Sequence, residues 1–121
     1  MELKNRDHED RPWGSFERFT LNEKTTVKVI SANPHQALSL QYHNHRDEFW
    51  RILSGSCTVA LDGTETPAKT GDEFFIPRLT RHRVKTTDDA AVWLEISFGE
   101  FDETDIVRLE DLYNRTQISC L

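Results

Sequence analysis

Turn signals recur along this chain about every eight to twelve residues and leave no room for a long helix between them. Asn33-Pro34, Ser54-Gly55, Asp62-Gly63, Gly71-Asp72, Pro77 and Asp88-Asp89 punctuate short runs rich in β-branched and aromatic residues. Those runs are Thr26–Ser31, Leu38–His43, Phe49–Leu53, Cys57–Leu61, Thr64–Lys69, Glu73–Ile76, Arg81–Thr86 and Ala91–Ser97. Asp62-Gly63 is a strong hairpin signal, and Pro67 suits an edge strand in the segment that returns from it. Ser54-Gly55 reads as a turn that separates Phe49–Leu53 from Cys57–Leu61. The pattern predicts an all-β fold, a barrel or double-sheet jelly roll. Only the tail differs: Ile106, Leu109 and Leu112 stand at helical spacing and predict a short helix or turns packed on the barrel within Asp105–Tyr113.

A chain of 121 residues is long enough for one core and too short for two. Residues 1–10 are charged and aperiodic and read as an arm that is ordered only if it docks; residues 11–121 read as the single domain. A short edge strand is expected over Phe16–Thr20. Pro12 and Gly14 fix a bend around Trp13, whose large apolar ring is expected to be buried. With 15 basic and 21 acidic side chains the net charge is −6, which leaves no basic stripe for a nucleic-acid backbone. No stretch approaches the ~20 apolar residues of a membrane span, and the N-terminus lacks the apolar centre of a signal peptide. Cys57 and Cys120 read as free thiols, so a cytoplasmic location is expected.

The polar face of Leu38–His43 carries Ser39, Gln41 and His43, opposite Leu38, Leu40 and Tyr42. His43 and His45, two apart on a strand, would project from one face, with Glu48 close behind. His82, in Gly71-x5-Pro77-x4-His82, opens another strand after a hairpin that can bring it beside them. His43, His45, Glu48 and His82 therefore form a candidate ligand set for divalent zinc, iron, manganese or nickel, with coordination positions left for water or substrate. Gln41 faces the same side and is a candidate for ligand contact. Glu95 shares a strand face with Trp93 and Ser97, so it is a candidate general base inside the barrel; pairing with an arginine is the alternative. Trp50 and Trp93 are expected in the core, one of them lining the cavity. Lys28, Arg51, Arg81, Arg83, Arg108 and Arg115 are the cations from which a phosphate site could be drawn.

The two histidine segments resemble the paired motifs of the cupin superfamily: His43, His45, Glu48 and Gly55 in the first, Gly71, Pro77 and His82 in the second. Arg11-Pro-Trp-Gly-Ser, Leu38-Ser-Leu-Gln-Tyr-His-Asn-His-Arg-Asp-Glu and Asp105-Ile-Val-Arg-Leu-Glu-Asp-Leu-Tyr-Asn-Arg are similar, in the same order, to type II phosphomannose isomerases. That family is the C-terminal cupin of bifunctional mannose-6-phosphate isomerase/mannose-1-phosphate guanylyltransferases. The resemblance implies a cupin double-stranded β-helix and a divalent metal ion. It also implies conversion of mannose 6-phosphate to fructose 6-phosphate, with a sugar phosphate as the small-molecule partner, and a homodimer. Glu95, or Glu48 released from the metal, is the expected base. Gln41, Lys28, Arg11 and Arg115 are the expected substrate contacts. Nothing here corresponds to the nucleotidyltransferase part. Two positions depart from the family: Phe49, expected beside the metal, replaces a histidine, and Leu79 replaces a glycine, which implies a differently built turn. A dioxygenase and a non-catalytic sugar- or metabolite-binding module stay open as alternatives.

Overall fold

The computed structural model of the chain describes residues 3–113. In order, the strands are β1 (Asp7–Arg11), β2 (Gly14–Arg18), β3 (Thr25–Ala32), β4 (Leu40–Tyr42), β5 (Glu48–Leu61), β6 (Thr64–Lys69), β7 (Glu73–Ile76), β8 (His82–Lys85), β9 (Ala91–Phe98) and β10 (Val107–Glu110). Strands β3–β10 curl into two antiparallel layers that share β5, and β1 and β2 form a separate two-stranded sheet. One layer runs β3-β9-β5-β7 and the other β6-β5-β8-β4-β10. This is the all-β jelly-roll architecture that the turn pattern predicts. No helix long and apolar enough to cross a membrane is present among the described residues.

Ser54-Gly55 is not a turn. β5 runs through it, and the register against β9 slips between Ile52 and Ser54. Gly55 has φ 78°, and a Cβ there would lie 1.9 Å from the Ala90 carbonyl oxygen. The result is a bulge that bends the strand instead of reversing it. The first half of β5 pairs with β7 and β9, the second half with β6 and β8. Alternation along β5 then sorts its side chains. Trp50 and Ile52 point into the space between the layers and pack with Val59, Ile76, Val84 and Trp93. Phe49 points the other way, where Ile96, Leu3 and Phe19 cover it. Phe49 therefore packs on the outer side of its sheet, away from the inward-facing Glu48.

Both ends of the chain differ from expectation. Residues 7–11 form β1 and pair with β2, whose bounds are shifted from Phe16–Thr20. Leu3 is buried, and Arg6 bonds Glu17 and Glu73, which also receive Arg51. An all-polar strand carries no alternation signal, so its hairpin partner and these ion pairs were invisible in the sequence. Trp13 sits in the connection between β1 and β2 and is 74% exposed, not buried. The tail forms β10 and not a helix: Val107 is buried and the strand completes the open edge of β4. Three apolar residues at helical spacing are too short a signal to outweigh an unpaired strand edge.

Leu79 takes φ 71°, the left-handed conformation natural to glycine, and its N–H donates to the His43 carbonyl at 2.7 Å. The turn is thus built as a glycine would build it, at a steric cost. Two opposite substitutions test these backbone demands by urea unfolding. Gly55→Ala should cost about 3 kcal/mol or more, from left-handed strain plus the clash with Ala90. Leu79→Gly should be neutral or stabilise by up to about 1 kcal/mol, since relieved strain exceeds the added freedom of the unfolded chain.

Candidate metal centre

The end of β4, the start of β5 and the start of β8 meet inside the fold, and each delivers one side chain. Glu48, 1% exposed, is the first residue of β5 and faces inward with Trp50. Trp50 Nε1 donates to Glu48 Oε1 at 3.1 Å and Arg46 Nε to Glu48 Oε2 at 2.9 Å. His43 Nδ1 lies 2.6 Å from the Asp105 carbonyl oxygen, and His82 Nδ1 lies 2.9 Å from that of Thr80. A carbonyl oxygen only accepts, so both Nδ1 atoms carry the proton and both Nε2 atoms present a lone pair. His43 Nε2 is 3.4 Å from Glu48 Oε2.

His43, Glu48 and His82 offer ligand atoms that all lie within 4.8 Å of one another. Donors around one ion at ~2.0–2.2 Å stand about 3–4 Å apart, so small side-chain movements would bring these three onto a divalent metal. The carbonyl-anchored imidazoles suit that role, because a ligating histidine usually donates its other ring N–H in this way. The residues fit a metal ion. They also hold a cation of their own: the buried Arg46 guanidinium binds Glu48 and lies 3.3 Å from His43 Nε2. Sequence reasoning missed Arg46, since nothing in Arg46-Asp47-Glu48 distinguishes a buried arginine from an exposed one. It also missed Asp105, whose carboxylate accepts from the Asn44 and His45 amides and shapes the loop.

The other candidates divide sharply. His45 is exposed and outside the cluster, because the strand ends at Tyr42 and two-residue alternation no longer applies. Glu95, buried on β9 opposite Trp50, faces Glu48. Gln41 and Lys28 line the same cavity, of about 240 Å³, bounded also by Trp50, Trp93 and Glu95. That volume is below the ~300–1,000 Å³ of drug-sized pockets and suits a small metabolite. Arg11 lies on the β1–β2 hairpin, paired with Glu9 and stacked on Phe16, and does not line this cavity. Arg115 and Cys120 lie outside the described residues; Cys57 is a buried free thiol.

The family described as mannose-6-phosphate isomerase C-terminal matches residues 1–111. The chain belongs to that family. It is 35% identical over 108 residues to the xanthan biosynthesis protein XanB of Xanthomonas campestris, covering 88% of this chain and 23% of that protein. The alginate biosynthesis protein AlgA of Pseudomonas aeruginosa is also 35% identical over 108 residues, with 88% and 22% covered. The chain thus spans about a quarter of the length of these relatives. Among solved structures, the fold is similar to a cupin protein of Bacteroides fragilis (TM-score 0.59, 20% identity, 70% of this chain and 77% of that one). It is also similar to the capsular polysaccharide assembling protein CapF of Staphylococcus aureus (TM-score 0.65, 19% identity, 87% and 32%). The fold is a cupin.

Burial lowers the pKa of His43 to about 4 and also lowers that of His82, so both rings stay neutral. Burial would raise Glu48, but the charge that His43 and His82 take up in acid, together with the Arg46 guanidinium, outweighs it and holds the carboxyl below its usual range. Burial, and then the neighbouring Glu48 carboxylate, pushes Glu95 up to about 7. In metal-free protein these shifts act on stability with opposite signs. Between pH 6.5 and 4 the unfolded chain takes up a proton that His43 refuses, so stability falls with acid. Between pH 4.5 and 7 folded Glu95 holds a proton that the unfolded chain has lost, so stability falls with base. Each contribution amounts to about 2 kcal/mol between pH 7.5 and 5, and they nearly cancel. With chelator present, Glu95→Gln should therefore lose stability toward pH 5 relative to wild type, and His43→Gln should gain it, as read from urea midpoints.

Proposed function

We propose that this domain is a metal-dependent aldose–ketose isomerase acting on mannose 6-phosphate and forming fructose 6-phosphate. The observation that carries the reading is the placement of Glu95: a buried carboxyl that faces Glu48 and lines one small cavity together with His43 and His82. A carboxylate placed this close to the reacting carbons can act as a general base. Membership of the mannose-6-phosphate isomerase C-terminal family supports the choice of substrate.

His43, Glu48 and His82 would hold the divalent ion, which supplies electrophilic polarisation of the substrate's C1 and C2 oxygens. Glu95, as the carboxylate, takes the C2 proton of the open-chain aldose while the C1 carbonyl oxygen gains a proton, giving an enediol. The same carboxyl returns its proton to C1 as the C2 hydroxyl loses one and becomes the ketose carbonyl. Gln41 holds the sugar hydroxyls, and Lys28, tied to Glu103, closes the mouth of the cavity. Trp50 and Trp93 wall the cavity and limit water around the enediol. Glu48 is less suited to be the base, because Trp50 and Arg46 already occupy both of its oxygens.

Conversion of mannose 6-phosphate to fructose 6-phosphate in a coupled assay tests the proposal. Glu95→Gln should lower turnover by about 10²- to 10⁴-fold while metal content stays at the wild-type level. His43→Ala and His82→Ala should each lower the metal retained after dialysis, measured by elemental analysis, whereas His45→Ala should leave it unchanged. Metal-loaded protein that binds mannose 6-phosphate but forms no fructose 6-phosphate would be a binding module. Oxygen consumption by an iron-loaded form would indicate a dioxygenase.

A further inference from the structure

We infer that Arg108 anchors the phosphate group of the substrate, an inference that rests on the sugar-phosphate reading above. Arg108 is on β10 and pairs in register with Gln41 on β4, which pairs with His82 on β8. Residues directly opposite each other in antiparallel strands point to the same side, and all three line the cavity. Arg108, Gln41 and His82 thus form one row across three neighbouring strands. Two strand spacings, about 9–10 Å between backbones, separate the guanidinium's strand from that of His82. A hexose 6-phosphate presents its reacting C1–C2 end and its anionic end at opposite ends of the molecule, as this row does.

The remaining cations of the cavity are engaged. Lys28 Nζ bonds Glu103 at 3.1 Å and lies 4.4 Å from the centre of the Phe101 ring. Arg46 is committed to Glu48. Arg83 donates to the carbonyls of Leu38 at 2.9 Å and Glu110 at 3.2 Å, with the Glu110 carboxylate 3.7 Å away. Arg108 differs: its Nε is buried and has no hydrogen-bond partner among the described residues. A buried guanidinium N–H without an acceptor is costly, and a ligand that brings an oxyanion removes the cost. Trp93 Nε1, on the same cavity, is buried and without a partner as well. A charged donor at one end and a neutral donor in the wall match a phosphate ester with hydroxyls beside it. The planar fork of arginine can hold a phosphate through two parallel hydrogen bonds.

Titration calorimetry with mannitol 6-phosphate, which has the phosphate but no carbonyl to react, separates this inference from the isomerase reading. Mannitol and mannonate serve as neutral and carboxylate controls. Wild type should bind mannitol 6-phosphate. Arg108→Gln should weaken that binding about 10- to 100-fold and leave the weak binding of mannitol unchanged. Arg108→Lys, which keeps the charge but not the fork, should fall between them. In the isomerase assay the loss should appear in KM, with kcat changed much less. If Arg108-dependent binding is found in a protein that never turns over mannose 6-phosphate, the inference stands and the isomerase reading falls. If wild type isomerises the sugar but Arg108→Gln has unchanged affinity and KM, the inference is overturned and the isomerase reading stands. Failure of wild type to bind mannitol 6-phosphate, or Arg108-dependent binding of mannonate in its place, also overturns it.

Discussion

The close approach of Gly55 to the Ala90 carbonyl lets one strand serve two sheets, and the geometry of the cavity follows from it. Before the bulge, β5 presents Glu48 and Trp50 to the interior; after it, Val59 does so from the other layer. Without the bend the strand would continue in one plane, and β7 and β9 could not face β8 and β4 across a common core. Residue 55 meets backbone on one side and needs a positive φ on the other, two demands that only glycine meets together.

Within that frame the polar cluster is held from outside its own strands. His43 and His82 are each oriented by a carbonyl, one from Asp105 far along the chain and one from Thr80 two residues back. The Leu79 amide ties the second loop to the His43 carbonyl. The loop after β4, the loop before β8 and the segment before β10 therefore fix one another, and the imidazoles inherit their tautomers from that arrangement. These are backbone contacts, so side-chain substitution in the loops can move the rings only by moving the chain.

Much of this was legible in the sequence. Turn residues located β3 and β6–β9 to within a few residues but split β5 in two at Ser54-Gly55, and alternation placed Trp93, Glu95 and Ser97 on the inward face. The same alternation would have placed Phe49 outside, opposite Glu48; the expectation that it lay near the metal position came from its neighbour in sequence and not from the strand. His45 was misplaced for the converse reason, since periodicity was carried past Tyr42 into a loop. The N-terminal strand had no pattern to read, and the tail had a pattern that tertiary pairing overrode. Arg46 was beyond sequence reasoning altogether. Its burial depends on Glu48, on the Asp102 carbonyl at 3.2 Å and on the Phe101 ring at 4.5 Å, contacts that exist only once the loops have met.

That arginine changes what the cluster asks of its surroundings. A carboxylate sealed in an apolar interior ordinarily depends on an outside cation, and a domain built that way unfolds when the ion leaves. Here the counter-charge is carried by the chain itself, two residues from the carboxylate it neutralises. Capture of a divalent ion there would be an exchange, with the guanidinium giving up its place, so its affinity would be a difference between two occupants. Folding would thereby be separate from any ion loading: the barrel carries its own counter-charge, and an empty centre need not dissolve the fold.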